Sequence, residues 1–114
     1  MIVGAYRFGH IDVDGHTFNS DVIITPERVV ENWRRKEGHC LAVADVANVV
    51  AAKPDIVVLG TGFLGRMTVS DEVRRYLEAQ GIEVRAAPTR QAVRDFRQLQ
   101  DQRARVVAAL HLTC

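Results

Sequence analysis

Cysteine is scarce in this sequence of 114 residues, and the absence of closely spaced cysteines limits the kinds of site it can hold. Cys40 and Cys114 form no CxxC pair, the spacing on which tetrahedral zinc sites are usually built. In an extended chain His39 and Cys40 would point to opposite faces, and His111 and Cys114 have the wrong parity to share one. We expect no metal, no cofactor and no disulfide, with Cys40 buried and inert.

Charge of one sign and long apolar runs are also lacking. The formal net charge of +1 gives no overall attraction to nucleic acid or to an acidic membrane. No apolar run approaches the ~20 residues of a membrane span, and the N-terminus has no signal-peptide pattern. We expect a cytoplasmic protein with reduced thiols. Hydrophobic residues make up 47% of the chain, which predicts one packed domain over residues 1–114.

Catalytic signatures are missing as well. The sequence contains no GxSxG, no HExxH and no cysteine-nucleophile motif. A nucleophile needs a base close to it in space, and sequence alone cannot show that. The catalytic residues are therefore unknown, and the sequence favours a protein that is not an enzyme.

The N-terminal third predicts a small β layer. Residues 6–13 alternate apolar and polar side chains, and Asp14-Gly15 is typical of a tight hairpin turn. Residues 17–18 begin the return, and Val22–Ile24 predicts a further strand of the same meander. Gly4 and Gly9 are possible bulges.

Two helices are predicted next. Thr25-Pro26 is typical of a helix start, with threonine as the cap and proline in the first turn. Val29, Val30 and Trp33 would share one face of this helix, and Gly38 would end it. Asp45 predicts the cap of a second helix, which Pro54 stops.

The remaining sequence predicts a β–α–β–α–β order. Asp55–Gly60 is continuously apolar after its first residue, so we expect a strand covered on both faces. Ser70 caps a helix, residues 82–87 form a strand nearer an edge, Thr89 opens the last helix, and residues 105–112 form a final strand. This order indicates neighbouring parallel strands. The predicted fold class is α/β in three layers: a central mixed sheet with parallel βαβ units, flanking helices and a small N-terminal β-hairpin layer.

The glycine loop after the first of these strands matches Gly60-x-Gly62-x-x-Gly65, the dinucleotide-binding pattern. Its context disfavours that function, because the helix cap comes only at Ser70 and Glu83 begins the next strand instead of ending it. Two interpretations stay open. The glycines form a tight turn without a ligand, or the amides of Gly60 to Gly62, with Thr61 and nearby Thr89, form an anion-binding crevice.

Arginines recur on one face of the last helix, at Arg90, Arg94 and Arg97. This stripe is either a solvated face or a surface that meets acidic lipid, nucleic acid or a protein partner. Asp101 falls on the same face, and no aromatic residues interleave for base stacking, so we expect no nucleic-acid partner.

In the order and spacing of its motifs, the whole chain resembles the Mth-type domain of unknown function. That domain is found in bacterial and archaeal proteins, in mitochondrial respiratory complex I assembly factor three and in an adipogenesis-associated protein. The resemblance is carried by Tyr6-Arg7-Phe8-Gly9, Asp21–Ile24 with Pro26, Trp33, Pro54–Gly62, Gly81–Val84, Thr89 with Ala92, and Val106–His111.

The resemblance implies a three-layer fold around a mixed sheet and no established chemistry. Because the mitochondrial relatives act as assembly factors, it favours protein partnership over turnover. The family usually has asparagine after the aromatic residue of the last helix, where this chain has Arg97 after Phe96.

Two hypotheses follow. The first is a non-enzymatic protein-binding or assembly factor that uses Arg90, Arg94 and Arg97. The second is a small-molecule or anion-binding protein, or a small enzyme, that uses the crevice of Gly60, Thr61, Gly62 and Thr89. An exposed β layer is also compatible with a homodimer.

Overall fold

The computed structural model describes residues 1–36, 39–102 and 105–113. Gly38 and Cys114, which figured in the sequence analysis, lie outside these ranges. The strands are β1 (Val3–Arg7), β2 (His10–Val13), β3 (His16–Phe18), β4 (Val22–Ile24), β5 (Val29–Val30), β6 (Cys40–Leu41), β7 (Ile56–Thr61), β8 (Thr68–Val69), β9 (Glu83–Ala87) and β10 (Val106–His111). A short 3-10 helix (Val43–Val46) precedes α1 (Ala47–Ala51), followed later by α2 (Asp71–Ala79) and α3 (Thr89–Gln100).

The central sheet has five strands in the order β5-β4-β10-β7-β9. β10, β7 and β9 run parallel, whereas β4 is antiparallel to β10 and β5 is antiparallel to β4. The predicted mixed sheet with neighbouring parallel strands is therefore confirmed. β4 was expected in the N-terminal meander, but it belongs to this sheet.

β7 and β10 lie in the middle of the sheet because their side chains are apolar on both faces. Val58 and Ala108 face one side of the sheet, and Val57 and Ala109 face the other, all fully buried. The strands pair in register from Val106 with Ile56 to His111 with Thr61. A continuous apolar run is what a doubly covered parallel strand requires.

Different elements cover the two faces of the sheet. On the first face, α3 and the β1-β2-β3 sheet contribute to a core that includes Ile11 and Phe96. On the second face, α1, α2 and the β6-β8 pair bury a core that includes Trp33 and Leu77. This is the predicted three-layer α/β fold with an N-terminal β layer. None of the helices in the described residues is long and apolar enough to cross a membrane.

Local signals placed α2 and α3 correctly. The Ser70 hydroxyl accepts the Val73 amide (3.3 Å) and caps α2, as its sequence predicted. α3 begins at Thr89 and buries Ala92, Val93 and Phe96 against the sheet.

The helix predicted from Pro26 is wrong. Thr25 Oγ1 does accept the amides of Glu27 (3.3 Å) and Arg28 (3.0 Å), as a cap would. However, the Thr25 amide also donates to the Arg28 carbonyl (2.9 Å), which reverses the chain so that β5 pairs with β4. The same side-chain chemistry caps helices and closes turns, and here long-range pairing selected the turn.

Cys40 was expected to be buried, and this expectation is wrong. It lies exposed in β6, a strand of two residues that pairs with β8. Its neighbour Leu41 takes the inward position of this strand and is fully buried. Because successive residues of a strand face opposite sides, burial of Leu41 leaves Cys40 outside.

Candidate functional site

Gly60 lies where β7 passes very close to α3 and β10. A Cβ atom at this position would come within 2.9 Å of both Leu110 Cδ2 and Thr89 Oγ1. Any larger residue would therefore require the side chain of Thr89 or Leu110 to shift. Thr89 is fully buried, so this part of the predicted crevice is filled by a side chain.

The amides of the glycine loop donate hydrogen bonds within the protein. The Gly62 amide donates to Thr89 Oγ1 (2.9 Å), and the Thr89 hydroxyl donates to the His111 carbonyl (2.5 Å). The Phe63 amide donates to the Thr113 carbonyl and the Gly65 amide to the Gly62 carbonyl. Gly62 has a φ of +105°, a conformation that favours glycine. The loop is thus a hydrogen-bonded junction between β7, α3 and the end of β10.

This junction presents apolar side chains outward. Phe63 and Leu64 follow Gly62 and are 40% and 58% exposed. The ring of Phe63 packs edge to face against Phe8, which is 51% exposed, with centroids 5.5 Å apart. Phe8 is held in place by the Gly9 amide, which donates to the Leu112 carbonyl (2.9 Å). We call Phe8, Phe63 and Leu64 the apolar tip.

The three arginines of α3 differ in what they contact. The Arg90 guanidinium lies over the Phe63 ring, 5.6 Å from its centroid. Arg97 Nε donates to the Val3 carbonyl (3.0 Å), and its Nη2 donates to the Gly4 carbonyl. Arg94 is exposed and forms no ion pair within the described part of the chain. Arg90 therefore contacts the apolar tip, Arg94 lies one turn further along α3 at the groove between β1 and α3, and Arg97 is hydrogen-bonded to β1.

A groove of about 330 Å³ runs between β1 and α3, lined by Ala5, Tyr6, Arg90, Val93, Arg94 and Arg97. The Tyr6 hydroxyl donates to the Leu112 carbonyl (2.9 Å). Burial raises the pKa of Tyr6, and the charge of Arg90 acts in the opposite direction. Tyr6 thus stays neutral and offers mainly its ring to the groove.

A charged cluster lies on the second face of the sheet, at the same edge. Asp21 Oδ2 accepts from Arg35 Nη2 and lies next to His111 Nδ1, each at 2.8 Å, and the two nitrogens are themselves 3.0 Å apart. Asp21 Oδ1 accepts the Leu112 amide at 2.7 Å. The side chains of Arg35, Asp21 and His111 are only 5%, 16% and 7% exposed. The Arg35 guanidinium also lies 4.9 Å from the centre of the Trp33 ring.

His111 Nε2 is buried and has no hydrogen-bond partner among the described residues. The exposed ring of His39 packs edge-on with its centre 6.0 Å away, and Thr61 lies opposite His111 in register. The described residues include no group of three or more histidine, cysteine or acidic side chains placed to hold a metal.

The structure thus brings Gly60, Gly62 and Thr89 together on the first face, while strand alternation places Thr61 on the second face with His111. Sequence reasoning missed the apolar tip and the charged cluster. Phe63 inside a glycine-rich loop was a usable signal, because an apolar residue between turn glycines has little access to a core. The charged cluster had no local signal, since Asp21 and His111 are 90 positions apart.

The three-layer α/β fold occurs in known proteins. Residues 3–111 match the family described as "Protein of unknown function (DUF498/DUF598)", and the chain belongs to that family. A conserved hypothetical protein from Pyrococcus horikoshii is 26% identical with a TM-score of 0.87 over 100% of both chains. A Bordetella parapertussis protein is 30% identical, with a TM-score of 0.78 over 95% of this chain and 92% of its own.

A third structure, of a protein from Bordetella pertussis, is described as a Mth938-like domain. It has 24% identity and a TM-score of 0.73, over 96% of this chain and 84% of its own. At this identity the likeness shows the fold alone. Together with the family match it identifies the chain as an Mth-type domain of unknown function.

Proposed function

We propose that this chain is a non-catalytic protein-binding domain, of the kind that acts in assembly, and that it docks its partner on a surface made by Phe8, Phe63, Leu64, Arg90 and Arg94. We call this set the tip surface. The observation that carries the proposal is the exposed aromatic pair with an arginine stacked on it.

The composition of the tip surface supports a protein partner. Aromatic residues and arginine are enriched at protein interfaces and dominate their binding energy. Single exposed apolar residues are ordinary, but here two aromatic rings touch and a leucine follows directly in the chain. In the exposed position these side chains contribute little to the stability of the fold, whereas a partner that covered them would bury substantial apolar area.

The backbone below the tip supports the same function. The Phe63 and Gly9 amides are both hydrogen-bonded to the segment that follows β10. The two aromatic residues are therefore held in place before binding, which lowers the entropy cost of association. The loop amides that an anion site would use are already donated to Thr89, Thr113 and Gly62. The resemblance to an assembly factor of respiratory complex I favours the same class.

Site-specific photocrosslinking tests the proposal. A photoreactive amino acid at Leu64 is expected to capture a defined protein band in cell extract, and the same probe at Glu78, exposed on α2, is not. Unlabelled wild-type protein should compete for the capture, and a Phe63→Ala competitor should not. Equal crosslinking from both positions, or equal competition by both proteins, would contradict a docking site at the tip. A crosslink to a second copy of the chain would identify that copy as the partner and the assembly as a homodimer.

A second candidate function is binding of a small molecule or anion at the carboxyl edge of the sheet, where Thr61, alone of the predicted crevice residues Gly60, Thr61, Gly62 and Thr89, lies on the same face as the side chain of His111. The buried Nε2 of His111, beside Thr61 and without a hydrogen-bond partner in the described part of the chain, favours it. A ligand at 100 times its dissociation constant stabilises a fold by about 2.7 kcal/mol, so a thermal-shift screen would detect it. Absence of any shift across nucleotides, phosphosugars and organic acids would remove this candidate.

A further inference from the structure

We infer that the partner presents an acidic segment to the tip surface, with carboxylates against Arg90 and Arg94 and an apolar side chain against Phe8 and Phe63. This inference rests on the proposed function and specifies the chemistry of the partner. Nothing in the fold requires exposed positive charge beside exposed aromatic rings. Their juxtaposition is the observation to be explained.

The spacing of the two arginines suits the binding of two carboxylates. Arg90 and Arg94 are four positions apart on α3. They are therefore neighbours on one face of the helix, where Cβ atoms at this spacing are about 5–6 Å apart. Neither forms an ion pair within the described residues. Asp95, which follows Arg94 in α3, accepts a hydrogen bond from Gln91 (2.8 Å). Because no ion pair in the described part of the chain holds either arginine, both guanidinium groups are available to a partner.

The groove beside these arginines gives the apolar part of the partner a second contact. The ring of Tyr6 and the side chains of Ala5 and Val93 line it between β1 and α3. A volume of about 330 Å³ is at the low end for small-molecule pockets, and it suits one or two side chains better than a cofactor. An extended or helical segment crossing the groove would meet arginines on one side and phenylalanines at its end.

Nucleic acid fits this surface less well. Base stacking needs a free aromatic face, and the Phe63 ring is already contacted by Phe8 at one side and Arg90 at another. Two arginines also provide little phosphate neutralisation on a chain of net charge +1. A peptide carboxylate needs only the guanidinium edges, which lie at the exposed surface.

Peptide selection with matched variants tests the inference. Peptides from a random displayed library are selected on the wild-type chain, and their affinities are measured by fluorescence anisotropy at two salt concentrations. The variants are R90E/R94E, the matched control R74E/R75E on α2, and Phe63→Ala. Circular dichroism establishes that each variant is folded.

We expect the selected peptides to be enriched in aspartate and glutamate next to an aromatic or aliphatic residue. R90E/R94E should weaken their binding about tenfold or more, and added salt should weaken binding to the wild type. R74E/R75E should bind as the wild type does.

The unfavourable outcomes separate the two proposals. Selected peptides that lack acidic residues but lose binding with Phe63→Ala would overturn the acidic partner and keep the tip as a docking site. Peptides indifferent to every variant, or no enrichment at all, would contradict both. Tighter binding of a single-stranded RNA oligonucleotide, with the same dependence on Arg90 and Arg94, would replace the acidic protein by nucleic acid.

Discussion

At the same edge of the central sheet, the two faces differ in which side chains they bury and which they expose. On the face toward α3, neutral groups are paired inside through Thr89, and aromatic rings lie outside. On the other face, the charges of Asp21 and Arg35 lie inside. Neutral hydrogen bonds are cheap to bury, whereas ions lose much hydration. The comparison teaches that the inner polar groups hold the edge together and that the outer rings require a different explanation, for which we propose a partner.

The largest expected effect comes from breaking the charged side of this comparison. Asp21→Ala removes the acceptor of the Leu112 amide, and it takes the carboxylate away from His111 Nδ1 and from buried Arg35. We expect a loss of about 3–5 kcal/mol in the free energy of unfolding, measured by urea denaturation. The exposed Asp101→Ala variant is the control and should stay within about 0.5 kcal/mol of wild type. A similar small loss for both variants would mean that the cluster contributes little.

Breaking the neutral hydrogen bonds around Thr89 should lower the free energy of unfolding by a smaller amount. Thr89→Val keeps the shape of the side chain but leaves the Gly62 amide and the His111 carbonyl without the hydroxyl. We expect a loss of about 1–3 kcal/mol by the same measurement. Thr89→Ser retains the hydroxyl and should recover most of it. If serine were as destabilising as valine, packing and not hydrogen bonding would set the role of Thr89.

The arginines of α3 sharpen the comparison between structure and surface. Arg97→Ala removes two hydrogen bonds to β1 and should cost about 1–2 kcal/mol of stability. Arg94→Ala removes no such bond and should change stability by less than about 0.5 kcal/mol. In the crosslinking assay we expect the reverse order, with Arg94→Ala the more damaging. Equal effects of both variants in both assays would abolish the distinction.

An exposed ion pair offers the smallest effect and a pH signature. The hydrogen bond from Arg105 holds the pKa of Glu27 below its ordinary value of 4.5. A depressed folded-state pKa stabilises the fold above the unfolded-state pKa, and this contribution disappears as the pH falls through the folded-state value. Wild type and Glu27→Gln should therefore differ slightly in Tm at neutral pH and converge in acid. A difference that grows in acid would contradict this assignment.

Much of the fold could be predicted because its signals are local. Ser70 caps α2 by the bond its sequence position suggests, and the apolar run of β7 reveals its double coverage. Thr25 shows the limit of such signals. Its hydroxyl makes the bonds of a helix cap, yet the pairing of β5 with β4 turns the segment into a reversal. Which strands pair depends on residues that are far apart in the sequence, and a short window of sequence does not include them.

The site was harder to predict than the fold. The glycines and the arginines were noticed separately, and their relation through Phe63 depends on the packing of the loop against α3. Arg97 looked equivalent to Arg94 because helical spacing alone cannot show that β1 supplies acceptors beside it. Helical and strand periodicity identify a face, whereas contacts between distant segments decide what that face does.

The position of β10 has a consequence for how the chain is made. This last strand lies between β4 and β7, so the two halves of the central sheet meet only through it. During synthesis, residues 22–24 and 56–61 must wait with unpaired edges until residues 106–111 have left the ribosome. Strand pairings between distant segments form slowly, and until they form the unpaired strand edges are prone to aggregation. A chain stalled before β10 is therefore expected to depend on chaperones until residues 106–111 join the two halves of the sheet.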